Sequence, residues 1–411
     1  MLNPEIPAAP SLWSSPQFRS YLASTAFSGG ALSMQQLLIS WMLVGMLVLP
    51  GDQVGMIQAV IGIPGIFLML WGGASADRSD PRLLLLRIYA VSWVIPLLLA
   101  TCIELDHFNV WTVMAFGLGI STVTAFSSPA QQAILNRVAN GDIQRAVTAS
   151  TAIGFLVQII ALVFAGQMER FGMTTVLLVQ AACIAMGAFT IARLGKVEQP
   201  VTVVREPTWR VILDGMGATY ANKGLFQVLV VNFVSSIFNA GAFVTVLPFI
   251  MKRTYAGDAL QLAVIMVIFF FGATVSNLLM LRFMPIKRPG RIFLMMQLSR
   301  VVIIGLLFIR PDWWLLALVM LAWGLNMGMT TTLARTIVQE SAAPAFRARI
   351  LSVYSLGLLG SAPIGALLLG TIVEAFGTLN ALLPAMFVSV ALFLYGTLGT
   401  GIWSYRSPQV D

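Results

Sequence analysis

The chain has 411 residues, of which 58% are hydrophobic and only 10% charged, with a formal net charge of +8 and a mean hydropathy of +0.88. Soluble domains carry about 25% charged residues, so this composition excludes a soluble globular protein and makes bilayer lipid the solvent. The basic excess implies no nucleic-acid partner, because the placement of Lys and Arg accounts for it below.

Apolar stretches long enough to cross a bilayer as helices occupy residues 18–48, 54–76, 83–105, 110–132, 144–167, 173–194, 225–250, 259–284, 291–309, 313–334, 350–372 and 379–403, twelve segments in all. They are helices and not barrel strands, because a lone strand leaves its backbone unpaired in hydrocarbon and a barrel strand needs only about ten residues. Ahead of them, Pro4, Pro7, Pro10 and Pro16 without any basic residue argue against a cleavable signal peptide. Segment 1 carries Gln35, Gln36, Ser40 and Trp41, the last read as packing or an interface anchor. Cys102 and Cys183 fall inside segments 3 and 6, and the single histidine, His107, falls in a short connection. Neither a disulfide, a metal site nor histidine acid–base chemistry is expected.

Segments 4 and 5 contribute Ser121, Thr122, Thr124 and Gln158. Between segments 6 and 7 lies the longest polar stretch, Lys196 to Lys223, with an amphipathic piece, Trp209 to Asp214, expected to lie along the membrane surface. Segment 7 has Asn232, Ser236 and Asn239, and segment 10 has Asn326 and Thr330. Arg300 sits inside segment 9, about 13 Å deep at 1.5 Å per residue, with no carboxylate at similar depth. Glu104, Glu169 and Glu374 sit at one set of segment ends and Glu340 near the other. No proton relay at mid-membrane is therefore visible.

The tails and the connections after segments 2, 4, 6, 8 and 10, counted with the segment ends that adjoin them, hold 19 of the 24 Lys and Arg, and the other connections with their adjoining ends hold 4. Basic loops stay in the cytoplasm, so both termini are expected there. The stretch 195–224 divides an N-terminal half, 1–194, from a C-terminal half, 225–411, and the halves echo each other. Ile134-Leu135-Asn136 through Arg145 to Gly154 resembles Ile337-Val338-Gln339 through Arg347 to Gly357. Gly166 through Glu169 to Gly172 matches Gly370 through Glu374 to Gly377, with one extra residue. Two such repeats imply two similar bundles related by an axis along the membrane normal.

At the end of segment 2 stands Gly73-Ala-Ser-Ala-Asp77-Arg78-Ser-Asp-Pro-Arg82. It resembles the major facilitator superfamily signature, G-x-x-x-D-[RK]-x-G-[RK]-[RK], with Asp80 and Pro81 departing from it. Phe18-Arg19, Ser128-Pro129-Ala130, Val338-Gln339-Glu340 to Arg349, and Pro363-Ile-Gly365 narrow the resemblance to transmembrane secretion effectors, which include enterobactin-exporter-like proteins. The family's G-P-x-x-G-G pattern on segment 5 is here Ala161-Leu-Val-Phe-Ala-Gly166, keeping only the last glycine.

The resemblance implies an all-α membrane protein of twelve transmembrane helices in two pseudo-symmetric six-helix bundles, the major facilitator fold. It further implies a monomeric secondary transporter in a bacterial inner membrane, moving a small siderophore-like or drug-like molecule outward by alternating access on the proton gradient. An importer, a lipid flippase and a non-transporting sensor are the alternatives. No enzyme is expected, since no nucleophile, acid–base pair or metal set stands at membrane depth, and no cofactor or nucleotide loop is apparent.

In the family the motif aspartate docks on the N-terminus of helix 11 and closes the cytoplasmic gate, where unpaired N–H groups and the helix dipole favour a carboxylate. The gating set is therefore Gly73, Asp77, Arg78, Arg82, Asp142, Glu340, Arg347 and Arg349, with Arg78 and Arg82 expected to pair with Asp142. Helices 1, 4, 7 and 10 line the family's cavity, and the cavity set is Gln35, Gln36, Thr124, Gln158, Asn232, Asn239, Arg300 and Asn326.

Overall fold

A computed structural model describes residues 13, 15–78, 80–139, 143–195, 208–283, 286–343 and 346–408. Among them all regular structure is helical. Helix α1, Pro16–Trp41, continues as a π turn, Met42–Met46, and is followed by α2, Gly51–Arg78. Segment 3 is broken into α3, Pro81–Ser92, and α4, Val94–Glu104, because Pro96 has no N–H to return to the Ser92 carbonyl. Then come α5, Val110–Val138, α6, Ile143–Gly166, a single turn α7, Met168–Phe171, and α8, Met173–Ala192. Within the described part of the polar stretch, Thr208–Ala221 form α9.

Helix α10, Lys223–Gly241, runs on through a π turn, Ala242–Val246, the short α11, Leu247–Phe249, and a second π turn, Ile250–Thr254. The remainder are α12, Ala259–Phe283, α13, Pro289–Phe308, α14, Trp313–Ser341, α15, Arg347–Phe376, and α16, Leu383–Leu398. Among the described residues, eleven helical runs are long and apolar enough to cross a membrane. Helix α1 makes the twelfth crossing by its 26-residue length and its packing on α6 and α8, although its serines and glutamines make it more polar than the rest.

Several ends are set locally. Asp80 accepts from the Arg82 amide at 2.9 Å and precedes Pro81 at the first position of α3, an N-cap and N1 pairing that starts a helix without the glycine of the family signature. Asn109 and Thr112 form a capping box on α5, and Asp312 caps α14 through the Leu315 amide at 3.0 Å. Gly172 and Gly377, matched in the sequence repeat, both have left-handed φ, 86° and 91°, a backbone that excludes most side chains.

The packing repeats as the sequence does. Helix α1 lies on α6 and α8 as α10 lies on α15 and α16, α2 lies on α5 as α12 lies on α14, and α3 lies on α5 as α13 lies on α14. Between the halves, α2 packs along α15 and α6 along α12. Small residues permit the approach: a methyl on Gly62 would meet Pro363 Cγ at 2.6 Å, and one on Gly166 would meet Ala263 Cβ at 2.6 Å. Below, the end of the molecule carrying most Lys and Arg is termed inner and the other outer.

Candidate functional site

At the outer ends the two halves are closed against each other. The Gly51 amide at the start of α2 donates to Glu374 Oε2 of α15 at 2.9 Å, and Arg253 approaches the same oxygen at 3.6 Å. On the opposite seam, the Ala259 amide at the start of α12 donates to Glu169 Oε1 at 3.3 Å. Between them, Thr245 Oγ1 donates to Gln58 Oε1 at 2.5 Å, Gln58 Nε2 donates to the Val244 carbonyl at 3.3 Å, and Lys252 Nζ sits 5.0 Å from the centre of the Trp41 ring. Gln58, Thr245 and Trp41 are buried, so this closure excludes water along the middle of the outer face. None of these residues except Trp41 carried a role in the sequence reading, and Trp41 does serve as packing.

Inside each half lies a buried polar cluster at the corresponding place. In the first, Gln131 Nε2 donates to Tyr89 Oη at 2.7 Å and to Ser28 Oγ at 3.1 Å, joining α5, α3 and α1. In the second, Arg300 on α13 donates to Gln297 Oε1 at 3.0 Å, to Asn326 Oδ1 of α14 at 3.0 Å and to Ser235 of α10. Asn326 returns its amide to the Met296 carbonyl at 2.8 Å. Arg300 and Asn326 are each 3% exposed, so these two members of the predicted cavity set meet each other inside the C-terminal bundle. Replacing hydration by several neutral oxygens is how a lone guanidinium survives at membrane depth.

The other predicted cavity residues are dispersed. Asn239 accepts from the Trp323 indole at 2.6 Å, and Thr124 is exposed with its hydroxyl returned to the Ile120 carbonyl at 2.9 Å. Gln36 and Gln158 are half-buried. Gln35 is half-buried as well, and its Oε1 is buried without a donor among the described residues. Asn232 is buried on α10 and lines a pocket of about 690 Å³ at the inner end of the second half. Its walls are α9 (Met216, Tyr220), α10 (Phe226, Phe233) and α15 (Val353, Leu356). Among the described residues no charged side chain lines it, and its polar groups include Thr219, Asn232 and Tyr354. A concave apolar volume with a few polar groups is the usual form of a small-molecule site.

Helix α9 is held at this pocket. Arg349 donates to Asp214 Oδ2 at 2.9 Å, and Gly215 lies so close to the first turn of α15 that a methyl there would meet the Arg349 carbonyl oxygen at 2.6 Å. Thus Arg349, predicted as a gating residue, clasps the connecting helix to α15. Arg347 is exposed. Glu340 accepts from Ser407 Oγ at 2.8 Å and Tyr405 Oη at 3.2 Å, tying the C-terminal tail to α14. Burial raises the Tyr405 pKa, which keeps the phenol protonated as that donor. Arg82 donates to the Ala192 carbonyl at 2.7 Å and the Ile191 carbonyl at 3.4 Å, capping the C-terminus of α8 in its own half, where a cation is favoured by the helix dipole. Gly73, Asp77 and Arg78 lie on the last turns of α2, with their side chains outside the described residues, and Asp142 lies outside them altogether.

The model of the transmembrane secretion effector family matches residues 8–402. No curated protein sequence matches the chain. Among solved structures, the nucleoside transporter NupG superimposes with a TM-score of 0.76 at 17% identity, covering 94% of this chain and 99% of its own. A bacterial homologue of the human lysosomal transporter Spinster, inward-facing and unoccupied, gives 0.67 at 12% identity over 95% and 96%. A POT family transporter in complex with 5-aminolevulinic acid gives 0.71 at 12% identity over 92% and 96%. At these identities the structural likeness carries the fold alone, and the family match carries the membership. This multi-pass chain, with the twelve-helix major facilitator fold, is therefore a member of the transmembrane secretion effector family and a secondary transporter of major facilitator type.

Proposed function

We propose that this transporter moves a neutral, largely apolar small molecule outward, loading it from the inner side and drawing on the proton gradient. The observation that carries this reading is the inner pocket of about 690 Å³ between α9, α10 and α15, walled mostly by aromatic and aliphatic side chains, with no charged one among the described residues. A multiply charged siderophore would find no counter-charge among the described lining residues, whereas a drug-like amphiphile replaces apolar contact with water by contact with protein at about 25 cal/mol per Å². The family description, secretion, supports the outward direction. The two halves are the moving units, and the inner gate forms where Asp77 meets the N-terminus of α15, as the family signature implies. Coupling falls to carboxylates at helix ends, because the described side chains at mid-membrane include no acid.

A second reading has its own support. Leu213, Met216 and Tyr220 of α9 are exposed beside the pocket, a surface suited to the bilayer interface and hence to a lipid-like substrate. Sealed inside-out vesicles with and without an imposed proton gradient, offered neutral amphiphiles, anionic chelators and labelled lipids, separate these readings. Gradient-dependent uptake of neutral amphiphiles supports the first, and movement of labelled lipid alone replaces it with the second.

A further inference from the structure

We infer that Glu169 and Glu374 form a two-point latch that holds the outer gate shut and must release at both points before the protein opens outward. The two residues occupy matched places in the sequence repeat, Gly166 to Gly172 and Gly370 to Gly377. Each reaches across the interface to the first amide of a long helix in the other half: Glu374 to Gly51 of α2 at 2.9 Å, Glu169 to Ala259 of α12 at 3.3 Å. The contacts are therefore reciprocal, each half supplying one carboxylate and one helix N-terminus.

Three features show that these contacts are built rather than incidental. Pro50, which precedes Gly51 and whose carbonyl starts the helical ladder to the Val54 amide, has no side-chain acceptor, so Glu374 supplies the cap that α2 lacks. The matched glycines, Gly166 and Gly370, sit against the same partner helices: a methyl on Gly166 would lie 3.1 Å from Leu260 Cα, and one on Gly370 would lie 2.8 Å from Gly55 Cα. Close approach and carboxylate reach are thus supplied together in each repeat. Finally, Arg253 adds a cation at 3.6 Å on the Glu374 side, which places charge on both sides of that carboxylate.

Outward opening separates α2 from α15 and α12 from α6 at this end, so each carboxylate must leave a positive helix terminus for water. A glutamine keeps the shape and an acceptor oxygen but loses the charge–dipole attraction, which for these exposed carboxylates corresponds to about a two- to five-fold change in the ratio of closed to open. The latch does not depend on the direction of transport.

The test uses the full-length protein in intact cells, in a background with Cys102→Ala, Cys183→Ala and Thr245→Cys, where residue 245 is buried in the closed gate. The rate of alkylation by a membrane-impermeant maleimide added outside is proportional to the open fraction. Glu169→Gln and Glu374→Gln should each raise that rate about two- to five-fold, the double variant by about the product of the two. Asp52→Asn removes a like charge next to Gly51 without replacing either carboxylate of the latch, and it should not raise the rate. Melting temperatures of the purified variants, measured in parallel, should stay near the parent, since both glutamates are exposed. An unchanged rate in both glutamine variants, or an equal rise with Asp52→Asn, overturns the latch. If a glutamine variant does not fold, Glu169→Ser and Glu374→Ser replace it in the same assay, with the same two outcomes.

Discussion

The seam between α2 and α15 gives the most quantitative prediction. Gly55 faces the backbone of α15, and a methyl at this position would be driven into the Ala366 carbonyl, with Gly370 Cα 3.1 Å away. Backbone cannot rotate away as a side chain would, so Gly55→Ala must push the helices apart at the outer end, at a cost of about 1–3 kcal/mol for overpacking. The helical gain of replacing glycine by alanine, about 1 kcal/mol, is common to both conformations and cancels between them. The outer-closed state should therefore lose about 5- to 150-fold against the open one.

Gly241→Ala is the control. Its methyl would meet Gly365 Cα at 2.7 Å, but α10 and α15 belong to the same half and stay packed in every state. Spin labels at His107 and Asn380, exposed on the outer connections of opposite halves, read the opening as a longer inter-label distance. Gly55→Ala should lengthen it, while Gly241→Ala should lower the melting temperature and leave the distance alone. If the two variants both melt earlier at unchanged distance, the α2–α15 seam is ordinary packing and the reasoning fails.

Other expectations follow from the same picture. Asp77→Asn should reduce transport far more than protein level, since it removes a charge–dipole contact worth about 0.3–2 kcal/mol from an equilibrium balanced within a few kcal/mol; undiminished transport would reduce Asp77 to a topology residue. Arg300→Met should lower the melting temperature by leaving Asn326 Oδ1 without its donor, while Gln297 Oε1 keeps the Ser235 hydroxyl at 2.9 Å, at about 1–3 kcal/mol for that unsatisfied buried group, with transport per folded molecule maintained. Loss of transport at normal folding would instead put Arg300 on the substrate. A cysteine at Pro200 should react only with thiol reagents that reach the cytoplasm, and labelling from outside would invert the orientation.

Where the chain crosses the membrane is legible because hydropathy reports burial in lipid directly. Where helices end is less so: α5 continues to Val138 and α14 to Ser341, beyond the apolar runs, because a helix does not stop where the hydrocarbon does. Pro96 explains the break in segment 3, but the π turns at Met42–Met46 and Ala242–Val246 leave no periodic trace in so uniformly apolar a sequence. The depth of Arg300 could be counted, whereas its partners lie on three helices whose rotations only packing fixes. The internal repeat was visible, and with it a glutamate at the same place in both halves. That each one faces the first amide of a helix in the other half is a property of the packing, which no repeat spells out. The apolar pocket was equally hidden, since Phe226, Phe233 and Leu356 look like lipid-facing residues until α9 folds beside them.

Transport itself is the most direct test of the account. Inside-out vesicles carrying the protein, given an inwardly directed supply of a neutral amphiphile and an acidic lumen, should accumulate that compound, lose the accumulation when the proton gradient is collapsed, and accumulate it more slowly with Asp77→Asn. Accumulation instead in right-side-out vesicles under an inward proton gradient, or of a charged solute that the apolar pocket cannot hold, would contradict it.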